Sequence, residues 1–194
     1  IYAGQTLLKQ SGCEEIDAFR AGSFGFNRDT LLALARLGIP IDSSYNATAF
    51  GLNSGVLPGT TIVDAVRCDG VTEYPMTVFS DGTGSLRHTQ LTACSYRELE
   101  GLLWQALEAG RDSFVILSHS FELLNRAMDR PDDLVVKRFR KLCWFLDQNR
   151  DSFCVRGFSG LRPEASTACP APLVSPLWKA GARMAEQLYR RKFR

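Results

Sequence analysis

Residues 16–44 read IDAFRAGSFGFNRDTLLALARLGIPIDSS, and the punctuation of this stretch decides the fold class. Ile16 to Phe19 is a short apolar run that predicts a strand. Gly22-Ser23-Phe24-Gly25-Phe26 predicts a turn. Asn27 is placed to cap a helix over about residues 28–37, since its side-chain oxygen can accept from a free N–H of the first turn; Leu31, Leu34 and Ala35 share one face of that helix. Gly38 suits the left-handed residue that closes a helix, and Pro40 blocks its continuation. Ile39 to Ser44 then predicts a second strand. Strand, helix and strand in so short a span make a βαβ unit, whose crossover joins parallel strands.

The same alternation continues on both sides. Residues 1–10, with Leu7 and Leu8, predict the end of a helix closed near Gly12. Residues 46–60 are rich in Asn, Gly, Thr and Ser, contain Pro58, and predict a long loop, which in a compact domain is functional or mobile. Val71 to Phe79 predicts a hairpin or an extended edge segment. Ser95-Tyr96-Arg97-Glu98 is a capping box, Ser at the cap and Glu three residues on. The helix it opens carries Leu99, Leu102, Leu103, Ala106 and Leu107 at helical spacing and stops at Gly110. Phe114-Val115-Ile116-Leu117 predicts a strand buried on both faces. Pro131 to Asn149 predicts an amphipathic helix with Val135, Phe139, Leu142 and Leu146 on its inner stripe. Phe153 to Phe158 predicts a further strand. Ser175-Pro176 reads as the cap and first residue of a last helix, with Leu177, Gly181, Met184 and Leu188 facing inward. A repeating strand–helix order means an α/β sheet or barrel in one domain spanning residues 1–194.

Composition narrows the class of function. The chain has 194 residues, 45% of them hydrophobic, with 23 Lys and Arg against 21 Asp and Glu, for a formal net charge of +2. That size can bury a sizeable core, and a charge so near zero argues against a nucleic-acid or anionic-membrane partner. The longest uncharged run, between Asp42 and Asp64, is full of Ser, Asn, Thr and Gly and predicts a loop, so no transmembrane segment is expected. The six cysteines, Cys13, Cys68, Cys94, Cys143, Cys154 and Cys169, form no CxxC pair, which excludes zinc-ribbon and thioredoxin-type readings. Unpaired, they favour a reducing, cytoplasmic compartment, and Cys143 in Leu142-Cys143-Trp144-Phe145 reads as a buried thiol. Gly-x-Ser-x-Gly is absent, and with it the usual hydrolase nucleophile elbow. Asn46-Ala47-Thr48 matches a glycosylation sequon, a triplet common by chance.

In α/β barrels chemistry gathers at the C-terminal ends of strands. Arg20, Asp42 and His119 lie there. His119 closes the most apolar run, and an imidazole at that position suits general acid or base work, or it hydrogen-bonds a loop. Arg20 can hold a carboxylate or another anion in bidentate fashion, or it makes a structural salt bridge. Asp42 can fix the tautomer of an active-site histidine, or it caps a turn before Ser43-Ser44. His88 has no second histidine at ligand spacing and reads as a satisfied loop histidine.

Phe19-Arg20-Ala21-Gly22-Ser23-Phe24-Gly25 resembles the arginine segment of the polysaccharide deacetylases, the chitooligosaccharide-deacetylase homology family. The likeness runs on through Leu31–Ile39 into Asp42-Ser43-Ser44-Tyr45-Asn46. Arg87-His88-Thr89-Gln90-Leu91, Ile116-Leu117-Ser118-His119-Ser120-Phe121-Glu122 and the last helix with Glu186-Gln187 extend it over nearly the whole chain. The resemblance implies a distorted (β/α)7 TIM-like barrel with mainly parallel strands. It implies a hydrolase, bacterial in type, that removes N-acetyl groups from the amino sugars of a polysaccharide such as an exopolysaccharide. In that family a divalent metal, with zinc expected, polarises the acetyl carbonyl and its water, an aspartate is the base and a histidine protonates the leaving amine. By the same resemblance Arg20 would orient the aspartate base, His119 would be the general acid, Asp42 would steady it, and Leu117 and Tyr45 would meet the substrate. Tyr45 stands where many members have tryptophan, and Ala21-Gly22 replaces a proline-bearing version, which points to a subgroup with its own substrate.

The family's Thr-Phe-Asp-Asp-like motif and its histidine-pair motif are both missing. With two histidines in all, a His-His-Asp metal site cannot be assembled, so no metal ligand is assigned. The expectation is therefore the C-terminal part of such a domain, without its N-terminal strands, holding half an active site and binding no metal by itself. The alternatives are a non-catalytic glycan-binding or structural domain of the same fold, and an unrelated α/β enzyme in which His119 and Asp42 act alone.

Overall fold

A computed structural model of the chain describes residues 1–50, 56–163 and 170–193, with the side chains of 50 and 191–193 left aside. Cys169, Arg194 and the side chains of the basic tail from Arg191 onward therefore lie outside the described residues. The chain falls into two compact units, Ile1–Met76 with Arg156–Ala171, and Thr77–Val155 with Pro172–Arg194.

In the first unit the helix α1 (Tyr2–Gln10) closes at Gly12, whose φ of +91° needs a residue without a side chain. β1 (Ala18–Phe19) leads through a 3-10 turn at Gly22–Phe24 to α2 (Arg28–Arg36) and β2 (Ile41–Asp42). The Asn27 cap forms as expected: its Oδ1 accepts the Thr30 N–H at 3.0 Å, and Thr30 returns a bond to the Asn27 N–H. β1 and β2 are parallel, with Ala18 opposite Ile41 and Phe19 opposite Asp42, so the βαβ reading holds. Leu31 and Leu34 are buried, whereas Ala35 is exposed. After α3 (Ala47–Phe50), β3 (Val66–Cys68) and β4 (Val71–Glu73) form a hairpin. Its two-residue turn, Asp69-Gly70, has positive φ at both positions, the twist that matches paired strands. The sheet order is β1-β2-β4-β3, with β4 also parallel to β2. Val71 to Phe79 is thus neither one hairpin nor an edge: β4 is interior to this sheet, and the strand after it belongs to the second unit.

There β5 (Val78–Ser80) is central, antiparallel to β6 (Leu86–His88) and parallel to β7 (Leu173–Val174). Three helices complete the unit: α4 (Tyr96–Glu108), α5 (Asp133–Gln148) and α6 (Leu177–Phe193). The Ser95–Glu98 capping box forms in both directions. Phe79, Leu99, Leu102, Leu103, Ala106, Leu142, Phe145 and Leu173 make the core, and Trp104 packs edge-on to Phe145 and against Phe153.

Six expectations fail here. Phe114–Leu117 is not a ladder strand. Leu117 makes one parallel bridge to Gln90, and only Leu117 is fully buried, because just one side of the segment finds a backbone partner among the described residues. Phe153 to Phe158 makes no strand; Phe153 is held by its ring contacts. In α5 the inner stripe is Val135, Arg138, Leu142 and Phe145, which leaves Phe139 and Cys143 exposed. In α4 Leu107 points outward. The largest error is α6: Leu177, Gly181, Met184 and Leu188 are exposed, and the buried residues are Ala180 and Arg183. Ser175 precedes this helix and is buried, but its Oγ has no hydrogen-bond partner and caps nothing.

The reason for the turn of α6 is charge. Arg183 Nη1 meets Glu98 Oε1 at 2.5 Å and Nη2 meets Asp81 Oδ2 at 3.0 Å, with all three residues buried. Arg138 Nη2 meets Glu186 at 2.6 Å, and Arg190 Nε meets Asp132 at 2.8 Å. Buried carboxylates without cations cost several kcal/mol, on the order of 3–5, more than an exposed Leu or Met loses by staying in water. Among the described residues the architecture is mixed α/β, with two of the five ladders antiparallel and neither sheet closed on itself. No helix among the described residues is long and apolar enough to cross a membrane.

Candidate functional site

Each unit carries one constellation at the ends of its strands. In the first, parallel β1, β2 and β4 bring Arg20, Asp42 and Glu73 to the same edge, since Phe19 pairs Asp42 and Asp42 pairs Glu73 in register. Arg20 Nε donates to the Ser43 carbonyl and Nη2 to Ser43 Oγ, both at 2.9 Å. Ser43 Oγ donates in turn to the Tyr74 carbonyl at 2.8 Å, so the guanidinium is braced while its Nη1 has no partner among the described residues. Burial lowers the Arg20 pKa, against the opposing charges of Glu73 and Asp42. Arginine nonetheless keeps its charge.

Beneath it Asp42 and Glu73 are fully buried. Asp42 Oδ1 accepts from Ser44 Oγ at 2.7 Å, and Ser44 Oγ accepts from the Ala21 N–H at 2.9 Å. Glu73 Oε1 accepts the Tyr45 N–H at 3.0 Å, while Oε2 faces no donor. Burial first, then the hydrogen bond and charge of Asp42, push the Glu73 carboxyl well above the usual carboxylate range. Two adjacent buried carboxyls disfavour ionisation of both at once, and the upward shift of Glu73 is the sign of this. Tyr45, expected against substrate, is fully buried with its ring edge-on to Phe26 at 6.4 Å, so it builds core. Asn46 is buried too, and its Oδ1 accepts from Thr48 N and Oγ1, which removes the sequon from reach.

The second constellation centres on His119. Its Nδ1 lies 2.7 Å from Glu122 Oε1, with the ring about half exposed and stacked on Phe121 at 4.9 Å between centroids. Glu122 is buried and held on both oxygens: Gln90 Nε2 donates to Oε1 at 2.5 Å and Thr92 Oγ1 to Oε2 at 3.2 Å. Gln90 Oε1 in turn meets His88 Nε2 at 2.9 Å. Leu117 is buried behind the histidine, tied by its N–H to Thr89 O at 2.9 Å and by its carbonyl to the Leu91 N–H at 3.1 Å. The carboxylate that steadies His119 is therefore Glu122 rather than Asp42, whose oxygens are engaged in the first unit. Glu122 was legible in principle: it stands three residues on, where a 3-10 turn over Ser120–Leu123 folds it back.

The arrangement can hold His119 in one tautomer with Nε2 facing outward, ready to give or take a proton. Among the described residues no group of three His, Cys, Asp or Glu is placed to hold a metal ion, and the two imidazoles spend Nδ1 of His119 and Nε2 of His88 on side chains. No family model, no curated protein and no solved structure matches the chain.

Proposed function

We propose that the chain carries part of the active site of a hydrolase of the polysaccharide deacetylase type, which removes N-acetyl groups from the amino sugars of a polysaccharide. One observation carries this: the His119–Glu122 pair at the end of the Leu117 segment, with Nε2 open beside the exposed face of Phe121. A leaving amine needs a proton, and an imidazolium backed by a buried carboxylate can deliver it from Nε2 while Glu122 stabilises the cation. Phe121 gives the apolar face of a sugar ring a surface to rest on. Arg20, braced on Ser43 with Nη1 free, suits the binding of a carboxylate or carbonyl oxygen. On this reading the parallel ladders are those of a partial, distorted (β/α)7 barrel. In the family a divalent metal supplies the polarisation of the acetyl group.

A second reading, a glycan-binding domain without turnover, is favoured by the lack of a metal-holding group among the described residues. Titration with N-acetylglucosamine oligomers, followed by NMR of the histidine rings, tests both. Binding that shifts His119 and is weakened by Phe121→Ala is expected. No binding to any N-acetylated amino-sugar oligomer overturns the proposal. Acetate release with added zinc separates the readings: none is expected from residues 1–194, and robust release would reject the second.

A further inference from the structure

The second unit holds a cleft of about 650 Å³ whose walls include Arg87, Thr92, Arg126, Asp132, Gln187 and Arg190. We propose that this cleft binds an oxyanion, a carboxylate or phosphate borne by the glycan, so that the polysaccharide is an acidic one. The inference rests on the glycan reading above and narrows its substrate class.

Three guanidinium groups line the cleft against one carboxylate. Two of them are braced in the same way. Arg87 gives its Nε to Asp81 Oδ2 at 2.6 Å, and Arg190 gives its Nε to Asp132 Oδ2 at 2.8 Å. Among the described residues, neither has a partner for its terminal amino groups beyond that Nε bond. That is the fork a carboxylate or phosphate accepts in bidentate fashion, already oriented by the bond at Nε. Arg126 is exposed, and its side chain has no hydrogen-bond or ion-pair partner among the described residues. It is presented by a tight loop that the buried Asn125 closes: its N–H donates to the Arg130 carbonyl at 2.9 Å, and its Oδ1 accepts the Asp129 N–H at 3.2 Å.

The nearby carboxylates do not oppose an anion strongly, because their oxygens are already occupied. Asp132 Oδ1 accepts the Leu134 and Val135 N–H groups, and its Oδ2 takes Arg190. Asp81 accepts from Thr83 and from Arg87 and Arg183. Thr92 links the cleft to the histidine: it lines the wall and donates to Glu122 Oε2, the carboxylate that holds His119. An acidic sugar seated in the cleft would therefore lie close to a ring presented to His119.

The test compares two oligomers of equal length by calorimetry: a hyaluronan hexasaccharide, which alternates glucuronate with N-acetylglucosamine, and an uncharged N-acetylglucosamine hexamer. Hyaluronan should bind the full chain roughly tenfold tighter or more, lose that advantage in Arg126→Ala, and weaken as salt rises. Arg126 has no structural bond, so the variant folds; a normal melting curve checks this. Equal affinity for the two oligomers, unchanged by Arg126→Ala, overturns the inference while leaving the glycan reading intact. Inorganic phosphate and free glucuronate distinguish the sources. If phosphate binds through Arg126 while neither oligomer binds, the cleft takes an oxyanion but not on a glycan, and the glycan reading falls instead.

Discussion

Glu73 shows how a residue's neighbours reverse its ordinary chemistry. Its side chain is buried beside Asp42, and its Oε2 has no donor, so burial and the neighbouring carboxyl favour the neutral acid. A carboxyl whose folded pKa is raised contributes its stability below its unfolded value, near 4.5, and loses it as pH rises through the folded value. Thermal melting should therefore show a loss of stability toward alkaline pH. Glu73→Gln, which keeps the shape and the neutral state, should remove that component. A variant that melts with the wild-type pH dependence would show that Glu73 is ionised in the fold. Nothing in Val71-Thr72-Glu73 reveals this in the sequence, since the proton depends on the register that sets Glu73 opposite Asp42.

At the scale of elements, helix ends were legible and helix faces were not always. Asn27 and Ser95 cap as their sequences predict, because a cap bond spans only three residues. The face of α6 depends on Asp81 and Glu98, 102 and 85 residues away along the chain. Hydrophobic spacing selected Leu177, Met184 and Leu188, and the electrostatics of buried carboxylates turned the helix the other way. Burial works against ionisation of Asp81, but the bonds from Thr83, Arg87 and Arg183 prevail and hold its carboxyl below the usual range. Arg183→Met should cost about 3–5 kcal/mol in urea denaturation, because two buried carboxylates lose their shared cation. Leu188→Gln, on the exposed side, should stay within about 0.5 kcal/mol. A large loss for Leu188→Gln with none for Arg183→Met would restore the inward-apolar face.

Over the whole molecule, the cysteines report which surfaces are open. Cys143 and Cys154 are exposed, while Cys68 and Cys94 are buried. Burial pushes the Cys94 thiol up to about 12, which leaves it without thiolate at neutral pH. A thiol-reactive chromophore should thus label Cys143 and Cys154 rapidly and reach Cys68 and Cys94 only after unfolding. Protection of Cys143 in the native chain would return it to the buried role that the apolar run Leu142-Cys143-Trp144-Phe145 suggested.

The sequence by itself determined the βαβ start, the Asn27 cap, the Ser95–Glu98 capping box and the candidate histidine, all of which depend on neighbours a few residues apart. Only the tertiary structure decided that α6 buries Arg183 against Asp81 and Glu98, that Arg190 pairs with Asp132, and that three guanidinium groups line one cleft. Those outcomes arise from pairing charges across distant segments, where the cost of an unpaired buried charge outweighs any local preference for an apolar face.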